Sequence, residues 1–174
     1  LSVRLTSIAS RRAEGVVVGR SALATESPLD LTLAQAVPKG DKMEHVIRMA
    51  TELGVTRVIP LLSERTVVPL EPARSDPRLA RWRRVAREAA QQSGRAAVPE
   101  VAAPTRLSAW RPAASTVGLL VCFWEEERRR LDTLLPAGPC ARATVVVGPE
   151  GGLTGDQVHG LPGAGALVAS LGPG

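Results

Sequence analysis

The chain has 174 residues, 22 Lys plus Arg against 17 Asp plus Glu, and 44% hydrophobic residues, enough for one domain, or one domain and a fragment of another, around a real core. Its two cysteines, Cys122 and Cys140, have no CxxC or histidine spacing around them, which argues against a disulfide scaffold and a metal site and for a cytosolic, cytoplasmic chain. No apolar run approaches the roughly 20 residues of a membrane span, and the opening LSVRLTSIASRR lacks the charged-then-apolar order of a signal peptide.

Leu1 to Val18 alternates weakly around a charged turn at Arg11, Arg12 and Glu14, so it reads as a β-hairpin, and Ser21 to Pro28 reads as a linker. Leu29, Leu31 and Leu33 then alternate with polar residues as a half-buried strand does, up to Pro38-Lys39-Gly40. A helix is predicted from an Asp41 cap, with Met43, Val46, Ile47, Ala50 and Leu53 on one face and Gly54 as its stop; Val55 to Leu62 resumes as a strand. A second helix over Arg78 to Ser93 puts Leu79, Trp82, Ala86, Ala89 and Ala90 on one side and Arg83, Arg84, Arg87 and Gln91 on the other. The remaining elements are a strand at Val117 to Phe123, a charged helix from Glu125 to Leu135 with an i,i+4 pair between Glu125 and Arg129, and a strand at Ala143 to Val147. A short helix from a Thr154 cap and a strand near Ala166 to Ala169 follow. Strands separated by helices predict an α/β fold with a parallel sheet covered on both faces.

The charge is unevenly placed. Residues 74 to 95 hold seven arginines against two acids, and the rest of the chain has 15 basic and 15 acidic residues, so the excess lies in one short segment, as on a surface that faces a polyanion. Arginine outnumbers lysine 20 to 2, which favours bidentate phosphate geometry and also follows from a GC-rich genome.

Three strings carry possible chemistry. Val145 to Gly152 is an apolar strand running directly into a glycine-rich loop, the place where α/β proteins bind ligands; a tight strand-to-helix turn without a ligand is the alternative. It is neither a Walker A loop nor a GxGxxG fingerprint. A second glycine loop, Ser170 to Gly174, reads alone as a frayed tail and, paired with the first, as half of a grip on one small molecule. Gln91, Gln92 and Arg95 close the arginine helix with groups suited to nucleobase edges and phosphates, or form a solvated face with a Ser-Gly stop. Neither His45 nor His159 has partners for a triad or a ligand set, which argues against hydrolysis.

Several strings together resemble one family in order and spacing. Pro38 to Glu44, Ala50 to Val55, Ser63-Glu64-Arg65, Arg81-Trp82, Glu88-Ala89-Ala90, Gln92 to Arg95, Val98-Pro99-Glu100, Val147 to Gly152 and Ser170 to Gly172 match the 16S ribosomal RNA uridine N3-methyltransferases of the SPOUT superfamily over about residues 25 to 172. The resemblance implies a SPOUT-type parallel sheet with a C-terminal trefoil knot over residues 28-174 and a homodimer. Residues 1-27 would then be the end of a PUA-like RNA-binding barrel. In the family the chain continues past Ser-Leu-Gly with a basic stretch and a final helix. This chain is therefore expected to be incomplete at both ends, and a protein ending at Gly174 is expected to be inactive.

The implied activity is methylation of N3 of one uridine in 16S rRNA with S-adenosyl-L-methionine, during maturation of the small ribosomal subunit. The implied cofactor residues are Phe123, Trp124, Val147, Gly148, Pro149, Glu150, Gly151, Gly152, Ser170, Leu171 and Gly172. Lys39, Lys42, Arg83, Arg84, Arg87, Gln92 and Arg95 are the candidate RNA contacts, with Arg95 expected near the reacting uridine. Glu52, Glu150 and bulk water are candidate acceptors of the N3 proton, none of them assigned. The rival reading is a non-enzymatic RNA-binding or ribosome-assembly module that keeps the knotted fold; a metabolic enzyme would leave the arginine segment unexplained.

Overall fold

The computed structural model describes residues 2–20, 26–66, 77–110, 112, 118–125, 127–161 and 165–170. Leu171, Gly172, Arg74, Val117 and most of the expected linker lie outside the described residues.

Strands β1 (Ser2–Ala9) and β2 (Arg12–Gly19) form the expected antiparallel hairpin and, among the described residues, pair with each other alone. Apolar side chains are exposed on it, with Ile8 at 74% and Val16 at 58%. A two-stranded ribbon of this kind buries too little to be stable by itself.

The rest is a parallel sheet in the order β5-β4-β3-β8-β7-β9, with β6 also pairing β4. Its strands are β3 (Asp30–Ala36), β4 (Arg57–Leu62), β5 (Glu100–Val101), β6 (Thr105–Arg106), β7 (Leu119–Phe123), β8 (Arg142–Val147) and β9 (Leu167–Ala169). Among the described residues four helices connect them: α1 (Lys42–Glu52), α2 (Pro77–Gln92), α3 (Leu131–Leu134) and α4 (Gly155–Gly160).

Parallel strands need crossovers, and the crossovers cover the faces. On one face Met43, Ile47 and Ala50 of α1 and Leu79, Trp82, Val85 and Ala86 of α2 pack with Val58 and Val101. On the other, Val158 and Leu161 join Ala34, Ala36, Leu61, Leu120, Cys122 and Val146.

The helices start by different means. Asp41 occupies the cap position of α1, but its side chain makes no cap hydrogen bond, and Glu44 pairs instead with Arg81 of α2 at 2.7 Å. Thr154 caps α4 in full, accepting from the Gln157 amide while the Gln157 side chain accepts from Thr154.

The charged helix expected from Glu125 to Leu135 is corrected to the single turn Leu131–Leu134. Glu127 accepts from the backbone N–H groups of Arg128 and Arg129 and binds the Arg129 guanidinium at 2.7 Å, an i,i+2 arrangement in place of the i,i+4 pair. A side chain that satisfies nearby amides offers the backbone an alternative to the helix. Residues 125 to 130 are all Glu or Arg, so no apolar face exists to dock one.

Cys122 lies fully buried in β7, and burial pushes its thiol up to about 11, whereas Cys140 is exposed. Under native conditions at pH 8 a thiol reagent should therefore label Cys140 at once and Cys122 only on unfolding. Mass spectrometry showing both labelled at the same rate would contradict this burial.

Candidate functional site

Because the main strands all run one way, the segments leaving β3, β4, β7, β8 and β9 emerge at one edge of the sheet. The glycine loop Gly148 to Gly152 leaves the central strand β8, and groups from β3, from the segment after β3 and from the segment after β4 hold it.

Gln35, a polar residue buried at the end of β3, donates from Nε2 to the Gly148 carbonyl at 3.1 Å and to Ala36 at 2.9 Å. Glu150 is held from the other side of β3: the Lys39 amide donates to its carboxylate at 3.2 Å, and Lys42 Nζ lies 2.6 Å from Oε1. Arg65, after β4, donates from Nη1 to the Gly151 carbonyl.

Inside the loop the Gly152 amide donates to the Pro149 carbonyl at 2.8 Å. Gly152 has φ of +70°, and a Cβ added there would stand 2.7 Å from the Glu125 carboxylate; one at Gly148 would stand 3.0 Å from the Gly152 carbonyl carbon. The positive φ favours glycine at Gly152, and at Gly148 the backbone of Gly152 leaves little room for a Cβ.

The neighbouring segments meet here too. Trp124 donates its amide to the Ala169 carbonyl at 3.1 Å, and Ser170 donates its amide to Arg129 at 2.8 Å, so the ends of β7 and β9 run side by side. The Trp124 ring meets His159 of α4 edge-on with centroids 6.0 Å apart, and its indole N–H is buried with no hydrogen-bond partner among the described residues. The structure therefore gathers Phe123, Trp124, Val147 to Gly152 and Ser170 at one edge.

The expected RNA contacts divide. Lys42 is engaged by Glu150, Arg83 donates from Nε to the Val101 carbonyl at 3.0 Å, and Arg84 lies 3.9 Å from Glu88. Arg87 and Gln92 are exposed on α2, and Arg87 has no hydrogen bond or ion pair among the described residues.

Arg95 is held inside the chain. Its side chain is only 7% exposed. Nε and Nη2 bind Glu26 at 3.1 and 2.6 Å, and Nη1 donates to the carbonyls of Thr51 and Val55 at 3.0 and 2.7 Å. The other Glu26 oxygen accepts from the amides of Ala96 and Ala97, and the Arg95 guanidinium beside Glu26 holds that carboxyl below its ordinary range. Arg95 thus sits where β4 begins, a strand length of about 20 Å from the glycine-loop edge, and joins α1, α2 and the segment before β3. Within one chain it cannot reach that loop.

Sequence reasoning did not single out Gln35, Glu26 or Arg65 for a role. Gln35 carried one signal, a polar residue inside an apolar strand, and Arg65 sits in the Ser63-Glu64-Arg65 string.

Residues 25–174 match the family described as RNA methyltransferase domain. Among curated proteins, the chain is 38% identical over 150 residues to ribosomal RNA small subunit methyltransferase E of Synechocystis, covering 84% of this chain and 48% of that protein. It is 33% identical over 156 residues to the Bacillus subtilis protein of the same name, covering 85% and 60%. A crystal structure of ribosomal RNA small subunit methyltransferase E from Neisseria gonorrhoeae bound to S-adenosyl methionine superposes with a TM-score of 0.85 at 31% identity, covering 99% of this chain and 70% of that one. The chain thus spans about half the length of the first curated relatives it matches.

The clamp on Glu150 makes a pH prediction. The Lys42 ammonium first, then the backbone amides of Glu150 and Lys39, lower its carboxyl to about 2 from 4.5. A depressed carboxyl pKa contributes stability that is present above the unfolded value and lost as pH falls through the folded one, so loop docking should weaken between pH 4.5 and 2. Carbon NMR should show Glu150 titrating near 2, and Lys42→Met should move the midpoint upward. An unmoved midpoint would contradict the clamp.

Proposed function

The chain belongs to the RNA methyltransferase domain family, and from that premise we propose that it transfers the methyl group of S-adenosyl-L-methionine to N3 of a uridine in 16S rRNA. The observation that carries the reading is the glycine loop, fixed by Gln35, Lys39, Lys42 and Arg65 at the edge where the strand ends converge. A loop held this way is preorganised: its backbone need not be ordered when a ligand binds.

The residues present fit the cofactor. Gly148 packs closely on the backbone of Gly152, whose positive φ favours glycine, and the buried Trp124 indole N–H lacks an acceptor among the described residues. In this proposal Phe123, Trp124, Val147 to Gly152 and Ser170 hold S-adenosyl-L-methionine, with Leu171 and Gly172 assigned by resemblance. The cofactor supplies a methyl group already activated on a sulfonium, which leaves the chain to position the base and exclude water. Glu150 is a poor proton acceptor, because Lys42 and two amides stabilise its anion. Glu52 is also unsuited, because it ends α1 beside the Thr51 carbonyl that Arg95 binds, at the opposite edge.

The same proposal includes the knot, the homodimer, the PUA-like origin of the β1–β2 hairpin and action in the cytoplasm, where ribosomal subunits mature. Among the described residues no helix is long and apolar enough to cross a membrane. Calorimetry on the full-length protein tests the reaction: absence of binding to S-adenosyl-L-methionine and to its demethylated product would sink it, whereas the assembly-module rival expects that absence.

For RNA the outer face of α2 is the proposed contact. Replacing Arg83, Arg84 and Arg87 together with Ala should weaken RNA binding without altering cofactor affinity. Each lost phosphate contact should lower the slope of log affinity against log salt by roughly 0.7 to 0.9. Since Arg83 and Arg84 already have partners within the chain, Arg87 should carry the largest single share. A triple variant binding RNA as the parent does at every salt concentration would remove this surface from the proposal.

A further inference from the structure

Strand β7 lies between β8 and β9 in the sheet, so the residues that follow it stand between the two segments proposed to hold the cofactor. Those residues are Trp124 and Glu125. Trp124 is tied to the β9 side, where its amide donates to the Ala169 carbonyl. Glu125 meets the β8 side: its Oε1 and Oε2 lie 2.7 and 3.5 Å from the point that a Cβ on Gly152 would occupy. The carboxylate therefore rests against the glycine loop itself.

Other acids of the glycine loop and of the segment after β7 are matched by cations of this chain. Glu150 holds Lys42, Glu127 holds Arg129 and Asp132 holds Arg130, at 2.6 to 2.8 Å. Glu125 is exposed and has no hydrogen bond or ion pair among the described residues. Its charge is thus left to act on whatever the glycine loop holds. A hydroxyl partner would be served as well by an amide oxygen, whereas a carboxylate makes its strongest hydrogen bonds and its full Coulomb attraction with a cation. S-adenosyl-L-methionine offers two such groups, the sulfonium and the α-ammonium, against a single carboxylate of its own. Loss of the methyl group removes the sulfonium charge and leaves a product that is neutral overall.

We propose that Glu125 receives a positively charged group of the methyl donor, the sulfonium or the α-ammonium, and so adds recognition of charge to the grip formed by the glycine loop and its neighbours. The proposal rests on the function proposed above and adds to it a residue and its task. Placed at the sulfonium, the carboxylate also ranks the donor above its product, because the charge it attracts disappears with the methyl group.

The test is calorimetry on the full-length protein with S-adenosyl-L-methionine and with its demethylated product. Glu125→Gln keeps the shape and an accepting oxygen and removes only the charge; Glu125→Lys reverses it. The side chain is exposed, so both variants should fold, which thermal melting checks. Affinity for the donor should fall about tenfold in Glu125→Gln and about tenfold further in Glu125→Lys. Product affinity falling in step with the donor puts the carboxylate at the α-ammonium, and product affinity unchanged in Glu125→Gln puts it at the sulfonium; either outcome supports the proposal. Donor affinity unchanged in Glu125→Gln overturns it, as does an equal loss in the two variants, which would mean that shape and not charge is read. The parent separates this proposal from the reading beneath it. Donor binding by the parent that neither variant alters removes Glu125 and keeps the methyltransferase, whereas a parent that binds no donor removes the methyltransferase and this contact with it.

Discussion

The parallel direction of the main sheet is the constraint on which everything else depends. Where strands alternate in direction, the ends of neighbours are divided between two edges; here β3, β4, β7, β8 and β9 all finish on one. The loops that follow them come from distant parts of the sequence, and their only common feature is this edge. Gln35 can therefore reach Gly148 across 113 residues, and Lys42 can reach Glu150 across 108. The hydrogen bonds that fix the glycine loop are non-local in sequence and short in space, and they exist only once the crossover helices have packed on both faces.

That arrangement divides the positive charge of the chain into two parts. Lys42 and Arg65 are engaged in holding the glycine loop, and Arg81 and Arg95 hold helices together through Glu44 and Glu26. What remains outward is narrower than the arginine count implies, with Arg87 and the weakly paired Arg84 on the outer face of α2. An arginine-rich string is thus a poor measure of a polyanion-binding surface until its internal acceptors have been subtracted. Exposed pairs such as Arg84 with Glu88 contribute little to stability and open readily to a phosphate, whereas the guanidinium of Arg95, with four acceptor contacts and almost no exposure, does not.

Legibility in the sequence followed the range of the interactions. Helix α2 and its apolar face, the Thr154 cap and the strand that runs into the glycine loop are set within a few residues, and the sequence alone placed them within one or two positions. The two-residue strands β5 and β6 carry no periodicity and exist because β4 offers them an edge. The helix expected from Glu125 was misread because charge spacing was taken for helical pairing, when Glu127 had closer partners in the next two amides. For the site, the glycine loop was legible as a string, but the residues that hold it were not, since Gln35 and Arg65 act only through folds of the chain that no local pattern encodes. The partners of Arg95 were hidden for the same reason: Glu26 is 69 residues away.

The position of Arg95 also separates two tasks that the motif order had merged. The Gln92 to Arg95 string closes α2 at the edge where β4 begins, and the glycine loop lies at the edge where β4 ends. The arginine helix α2 crosses between these edges over the face shared with α1, so a phosphate backbone following its outer surface would run from the Glu26–Arg95 junction toward Arg81 and Glu44. From there, α1 begins at Lys42, which holds Glu150 of the glycine loop. The path from the helix proposed to face RNA to the candidate chemical edge is therefore two ion pairs long, Arg81 with Glu44 and Lys42 with Glu150, both anchored in the first turn of α1. By this geometry α1 sets how the surface proposed to bind RNA is placed relative to the loop proposed to hold the cofactor, and Arg95 fixes the far end of that same helix through the Thr51 carbonyl.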